Sequence, residues 1–310
     1  MANTYGKVSG TFEEVTEIYG KVSGTWEEVD EAYAKVSGVW EEVFIAFKAT
    51  SFVTLSSGSG TFVVPQGANA IHIQAAVGGG GGAMRGADYD KAGGESAGAG
   101  GGSGAYISDK VFTVTTGETI SYSVGSSGAN GTGTYSGSAG GGASTTISGS
   151  TTGSIFTLTG GGGASASGGG VQGPLRSNTA GTAGSDTISG SVITSGNFRD
   201  TDLATKSVTT LTSGPTGTFN SNGNGAAGGN NGNCGGDNCR IGGSTGAASY
   251  AGNVSGGSGG SSSGSGTAGG AGTRGSGGGG GAAQVSGSPS STQGGSGGTG
   301  EIKYRFLQVI

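Results

Sequence analysis

GSGGSSSGSGTAGGAGTRGSGGGGG (257–281) is the stretch whose reading decides how this chain can fold. Every third residue from Gly257 to Gly281 is glycine, with Ser263 the single exception. A second run starts at Gly214 and keeps glycine at 217, 223, 229, 232 and 235, with Asn220, Ala226 and Asn238 in the remaining places. Gly294, Gly297 and Gly300 carry the same step up to the last apolar stretch. Three residues per turn is the repeat of the polyproline-II conformation, which has no internal hydrogen bonds. With glycine on a face, bare backbones can lie side by side. Bonds between neighbours then satisfy the donors and acceptors that a lone helix leaves to water. The competing reading is a flexible Gly/Ser linker, because ordering glycine costs more backbone entropy than ordering any other residue. The period favours a polyglycine-II helix bundle.

Composition points the same way. Glycine supplies 78 of 310 residues, where about 7% is usual. Hydrophobic residues are 31% and aromatics 7%, too few for a conventional core along the whole length. The net charge of −5 and the absence of a Lys/Arg run argue against nucleic acid as a partner. No stretch approaches the roughly 20 apolar residues of a membrane-spanning helix, so no membrane insertion is expected. Residues 1–10 lack the apolar centre of a secretory signal. A protein made in the cytoplasm and exported by cell lysis, such as a virion component, fits these absences.

Around the glycine lie strand patterns. Phe52 to Leu55 and Thr61 to Val64 read as two strands, with Pro65–Gly67 as a turn. Ala70 to Val77 reads as a strand with Ile71 and Ile73 on one face. Tyr106 to Val114 and Thr119 to Val124 alternate likewise around a turn at Thr116–Glu118. At the C-terminus Ile302, Tyr304 and Phe306 alternate with Lys303 and Arg305, an apolar strand that would be a sticky edge unless paired. It is expected to return to the sheet begun near residue 52. Ile147, Ile155, Phe156 and Leu158 suggest a further hairpin, and Ile188, Val192 and Ile193 with Val208 and Leu211 another. These are expected to cover the glycine-rich part.

The N-terminus is a repeat. Tyr5 to Val15 recurs at Tyr19 to Val29 and again at Tyr33 to Val43, a period of 14. Gly10, Gly24 and Gly38 hold one fixed place, and Phe12, Trp26 and Trp40 another. Each unit reads as a β-hairpin around a Ser-Gly turn, too small to bury a face without partners. The expected division is residues 1–50 as an attachment module, 51–125 as a β-sandwich-like framework completed by 301–310, and 126–300 as the polyglycine-II region. The fold class is therefore mostly β with a polyglycine-II bundle and N-terminal hairpin repeats.

Islands of bulkier residues interrupt the glycine: 84–91, 130–135, 171–178, 197–203 and 230–241. Loops held by a rigid scaffold carry recognition, and aromatic and Arg side chains dominate binding energy. Arg85, Tyr89, Tyr135, Arg176, Phe198 and Arg199 are the candidate contact residues. A place capping the edge of the scaffold competes with this reading at each of them.

Chemistry for catalysis is sparse. His72 is the one histidine and lies in a strand pattern between two isoleucines, so a serine or cysteine triad has no support. Glu13/Glu14, Glu27/Glu28 and Glu41/Glu42 are neighbours on opposite strand faces and read as surface, not as a glycosidase pair. Asp88/Asp90 and Asp200/Asp202 lack an EF-hand continuation. Cys234 and Cys239 are compatible with a local disulfide or with two free thiols. No enzyme, cofactor or metal site is expected.

Residues 64–82, 104–125 and 300–306 form a pattern: a strand entering glycine, a strand pair between glycine stretches, and a strand leaving glycine. This resembles the glycine-rich domain of phage tail proteins over roughly residues 52–310. The glycine-rich middle is also similar to the distal adhesins of T-even-like long tail fibres, in which packed polyglycine-II helices display host-binding loops. The repeats, which look like tandem motifs of other tail proteins, stand where those adhesins carry a fibre-attachment domain. The resemblance implies a tail-fibre or tail-tip protein that binds a bacterial surface glycan or outer-membrane protein and meets other tail proteins through residues 1–50. A homotrimer is the expectation by analogy with fibres. The alternatives are a structural virion or appendage protein without a receptor, and an ice-binding protein.

Overall fold

The computed structural model describes residues 5–8, 11–14, 19–28, 31–36, 39–45, 47, 49–84, 95–132, 136–167, 177–196, 233–234, 240–241, 243–247, 256–261, 267–281, 283–284 and 290–309. The repeats form three antiparallel hairpins. β1 (Tyr5–Val8) pairs with β2 (Thr11–Glu14), β3 (Tyr19–Val22) with β4 (Thr25–Glu28), and β5 (Glu31–Val36) with β6 (Val39–Ile45). At the β3–β4 turn Ser23 and Gly24 both have positive φ, 50° and 94°. That is the backbone of a tight two-residue turn whose twist matches the flanking strands. The register repeats as the sequence does: Lys7, Lys21 and Lys35 stand opposite Phe12, Trp26 and Trp40.

Two larger antiparallel sheets face one another. The first has the order β11 (Tyr106–Thr113), β9 (Ala70–Val77), β23 (Glu301–Leu307), β7 (Val53–Leu55). The second runs β18 (Asp186–Ile188), β15 (Gly153–Leu158), β14 (Thr145–Gly149), β12 (Thr119–Ser123), β8 (Ser59–Val63). Ile71, Ile73, Phe112 and Ile302 of the first sheet share one buried core with Ile120, Ile147, Phe156 and Leu158 of the second. The rings of Phe62 and Tyr304 stack across the sandwich at 4.5 Å, and Phe112 meets Phe156 at 6.2 Å. Full burial of a side chain of this size contributes about 1.5–3 kcal/mol, which concentrates apolar stabilisation here. The C-terminal strand β23 lies between β9 and β7, and Ile302, Tyr304 and Phe306 point into the core. β14, β15 and β18 complete the second sheet from sequence beyond residue 125, so residues 147–158 belong to the sandwich.

The sandwich strands do not end where the sheets end. β9, β12 and β15 run on into residues 78–84, 125–131 and 159–164. Residues 97–105, 139–144, 180–185 and 294–300 lead back into β11, β14, β18 and β23. In 78–84 the hydrogen bonds step by three. Gly78, Gly81 and Met84 donate to Ala105, Gly102 and Ala99 at 2.8, 2.8 and 3.0 Å. Gly79 and Gly82 donate to Ala143 and Gly140, both at 2.9 Å, and Gly80 and Ala83 to Gly298 and Gly295 at 2.8 and 2.9 Å. The carbonyls of the same segment accept from Gly161 and Ala164, from Gly128 and Gly131, and from Gly278 and Gly281. Six backbones therefore surround this one. A Cβ on Gly80 would strike the carbonyl oxygen of Ser276, and one on Gly81 that of Gly162.

Two expectations change. The secondary-structure elements among the described residues are all antiparallel β-strands, with no helix, so the fold does not show the expected polyglycine-II helix bundle. The reason is physical: segments without internal hydrogen bonds carry no helical signature of their own. The period-three run 257–281 is also not one continuous segment. The chain reverses at Arg274–Gly275, whose φ values are 44° and 76°. The Thr273 N–H bonds to Ser276 Oγ at 2.7 Å and closes that turn. At the centre of the block the signature is unbroken glycine, 78–82 and 277–281, because a fully surrounded segment has no face left for a side chain.

Candidate functional site

The glycine block has two ends. One is the sandwich. At the other the buried side chains of Met84, Ala99, Ala139, Ala164 and Ala166 form a small apolar cluster. Short strands surround it. β13 (Gly137–Ser138) pairs with β16 (Ser165–Ser167), and β16 with β17 (Ser177–Thr179). β10 (Glu95–Ser96) pairs with β19 (Asn233–Cys234). β20 (Arg240–Ile241) pairs with β21 (Ala283–Gln284), and β21 with β22 (Ser290–Ser291). Asn178 Nδ2 donates to the Ala97 carbonyl at 2.6 Å and Asn130 Nδ2 to Gln293 Oε1 at 3.4 Å, tying neighbouring segments together at this end. Sequence reasoning did not single out these amides. Their signal is an Asn or Gln at the border between glycine and an island.

The candidate contact residues Arg85, Tyr89, Tyr135, Arg176, Phe198 and Arg199 lie outside the described residues. What the structure describes is where their segments start and stop. Residues 85–94 connect Met84 to β10, 133–135 connect residue 132 to Ser136 beside β13, and 168–176 connect β16 to β17. All three connections begin and end at the far end of the block. Residues 197–232, which include Phe198 and Arg199, leave near the sandwich, where Val192 bridges to Phe112, and re-enter at β19. Asp88, Asp90, Asp200, Asp202 and Cys239 also lie outside the described residues.

Two buried polar groups of the sandwich, His72 and Glu118, hold defined hydrogen bonds. His72 is buried, with Nδ1 accepting from Arg305 Nε at 3.3 Å and Nε2 facing Asp109 Oδ1 at 3.3 Å. Phe52 stands edge-on to that imidazole at 5.6 Å, and the Arg305 guanidinium lies 4.5 Å from the centre of the Phe52 ring. Ser108 Oγ donates to Asp109 Oδ2 at 3.3 Å. Both imidazole nitrogens are thus engaged, one by Arg305 and one by Asp109.

Glu118 is a buried carboxylate. Its carboxylate accepts from the N–H groups of Thr115, Thr151 and Thr152 at 2.7, 3.0 and 2.9 Å and from the Thr152 hydroxyl at 2.5 Å. Burial pushes its pKa up, but these hydrogen bonds outweigh burial and hold the group below the ordinary carboxylate value. The result locks the β14–β15 turn onto the β11–β12 turn. Among the described residues no three His, Cys, Asp or Glu side chains come together as a metal site.

Comparison with curated proteins gives no match. A family model described as a glycine-rich domain matches residues 54–307, from β7 to the last residue of β23. The match spans well over half of the chain and covers the sandwich and the glycine block as one unit, so the chain belongs to the glycine-rich domain family.

Proposed function

We propose that this protein is a virion tail-fibre or tail-tip component that binds a bacterial surface receptor, a glycan or an outer-membrane protein, during host adsorption. In this reading the glycine block is a polyglycine-II lattice. The three-residue hydrogen-bond step and the six backbones around 78–84 support it. Such a lattice is stiff without an oily interior, which a display scaffold requires. The repeats join the protein to other tail proteins, as one copy or three.

The observation that carries the proposal is the common origin of three connections. Residues 85–94, 133–135 and 168–176 all leave and re-enter at the end opposite the sandwich, and they contain Arg85, Tyr89, Tyr135 and Arg176. A surface built from several connections on one rigid end suits recognition.

The test is adsorption of the purified full chain to susceptible cells. Replacing the three connections together with Gly/Ser sequence should abolish adsorption while the melting temperature stays unchanged. Undiminished adsorption by the folded replacement protein would leave a purely structural role. Ice shaping by the same protein would favour the ice-binding alternative.

A further inference from the structure

The three N-terminal hairpins are each a sheet of two strands, joined to no other strand among the described residues. A two-stranded hairpin is marginal in water by itself, and its outer edges present unpaired N–H and C=O groups. Here that situation occurs three times with one register. Glu13, Glu27 and Glu41 stand opposite Gly6, Gly20 and Ala34, and Tyr5, Tyr19 and Tyr33 opposite Glu14, Glu28 and Glu42. Equivalent backbones at an equal step call for equivalent partners.

The charge distribution says what those partners are. Residues 1–46 hold nine of the chain's 19 acidic side chains and three of its 14 basic ones, a net charge of −6. The remaining residues are close to neutral, so the acidity of the whole protein resides in the repeat segment. A second copy of the same module carries the same charge, and bringing the two together is opposed by repulsion. A phosphate-bearing cell envelope is opposed for the same reason.

We infer that the three hairpins are edge-pairing plugs, each seated on one of several equivalent strand edges of a basic protein surface. This rests on the tail-protein reading and names the chemistry of the attachment partner. Backbone pairing supplies affinity at each hairpin, opposite charge supplies orientation and rate, and three linked hairpins multiply the retention.

The test uses the full chain and purified tails stripped of it. Binding should weaken at least tenfold when salt rises from about 0.1 M to about 1 M, where screening shortens from about 10 Å to about 3 Å. The E13K/E27K/E41K variant should bind at least tenfold more weakly. Deleting residues 5–18 or residues 19–32 should weaken binding to the same degree. Binding to tails that ignores salt overturns the inference, as does undiminished binding by the folded charge-reversal variant, or loss on deleting one period with none on deleting the other. So does self-association of the full chain that disappears when the repeats are deleted. The salt series on the unaltered chain keeps the test decisive if a variant misfolds. Adsorption to cells, read in parallel, reports the receptor proposal separately: a chain that binds tails but not cells upholds this inference alone.

Discussion

The hydroxyl of Thr145 donates to the main-chain carbonyl of Val77 at 2.8 Å, joining the first residue of β14 to the last residue of β9. The same oxygen accepts the Gly125 N–H at 2.8 Å, and Thr145 is fully buried. This is the level at which sheet pairing gives way to glycine packing. Gly300 bonds back to Gly125 there at 2.7 Å. One side chain thus holds two of the strands that run out of the sandwich at the point where they begin to meet new neighbours.

Thr145→Val keeps the shape and removes the hydroxyl. It leaves the Val77 carbonyl and the Gly125 N–H buried with a partner lost, which costs roughly 1–3 kcal/mol per group. Thr145→Ser should retain most of the stability. Urea unfolding of both variants checks this, and equal midpoints would show that the joint is not needed.

Gly80→Ala should be among the most damaging single changes. Its Cβ would meet the Ser276 carbonyl, and no flexible side chain is available there to move aside. Gly141→Ala is the control, because the nearest atom to its Cβ is 3.5 Å away, an ordinary contact. Thermal melting should show Gly80→Ala destabilised by more than about 3 kcal/mol, in the range of severe core substitutions, and Gly141→Ala within about 0.5 kcal/mol of the parent.

These two glycines also show what was readable in advance. The strand alternation of Ile71 and Ile73, and of Ile302, Tyr304 and Phe306, is the pattern of half-buried sheet, and those residues do lie in the core. The hairpins followed from the repeat and its Ser-Gly turns. The glycine period was a poorer guide. It marks a segment with one crowded face, whereas a segment with six neighbours needs glycine throughout, as in 78–82. Nothing in the local sequence says that Gly78–Gly82 is central and Gly140–Gly142 peripheral. That depends on where β9 and β14 lie in the sandwich, which long-range pairing decides. The roles of Thr145 and Glu118 were not legible for the same reason, since Val77 lies 68 residues from the first, and Thr151 and Thr152 lie 33 and 34 residues from the second. On the recognition side, the islands were legible as interruptions. The amides of Asn130, Asn178 and Gln293 that brace the ends were not.

Glu118 predicts a pH dependence. Its folded pKa lies below the ordinary value of 4.5, so its stabilising contribution is present above that value and is lost as pH falls through the folded pKa. Stability should therefore decline below about pH 4.5. Glu118→Gln places an amide among four donors. It should cost roughly 1–3 kcal/mol at neutral pH and make the acid decline shallower. Unfolding measured between neutral and acidic pH distinguishes the two proteins. Parallel curves would assign the acid sensitivity to other carboxylates.

The recognition proposal predicts a separation between stability and adsorption. Tyr89→Ala, Tyr135→Ala and Arg176→Ala each change one of the three connections, and the recognition reading expects them to leave the melting temperature unchanged. A contact worth about 1.4 kcal/mol corresponds to a tenfold change in affinity. At least one of the three should therefore slow adsorption tenfold or more, since interface energy concentrates in a few aromatic and Arg side chains. Phe198→Ala and Arg199→Ala sharpen the comparison. Their connection starts near the sandwich and ends at the far end, so an effect there equal to that of Tyr89→Ala would extend the contact surface along the side of the block. Normal adsorption in all five variants would remove these residues as contacts and leave the bracing amides at that end as the next positions to change.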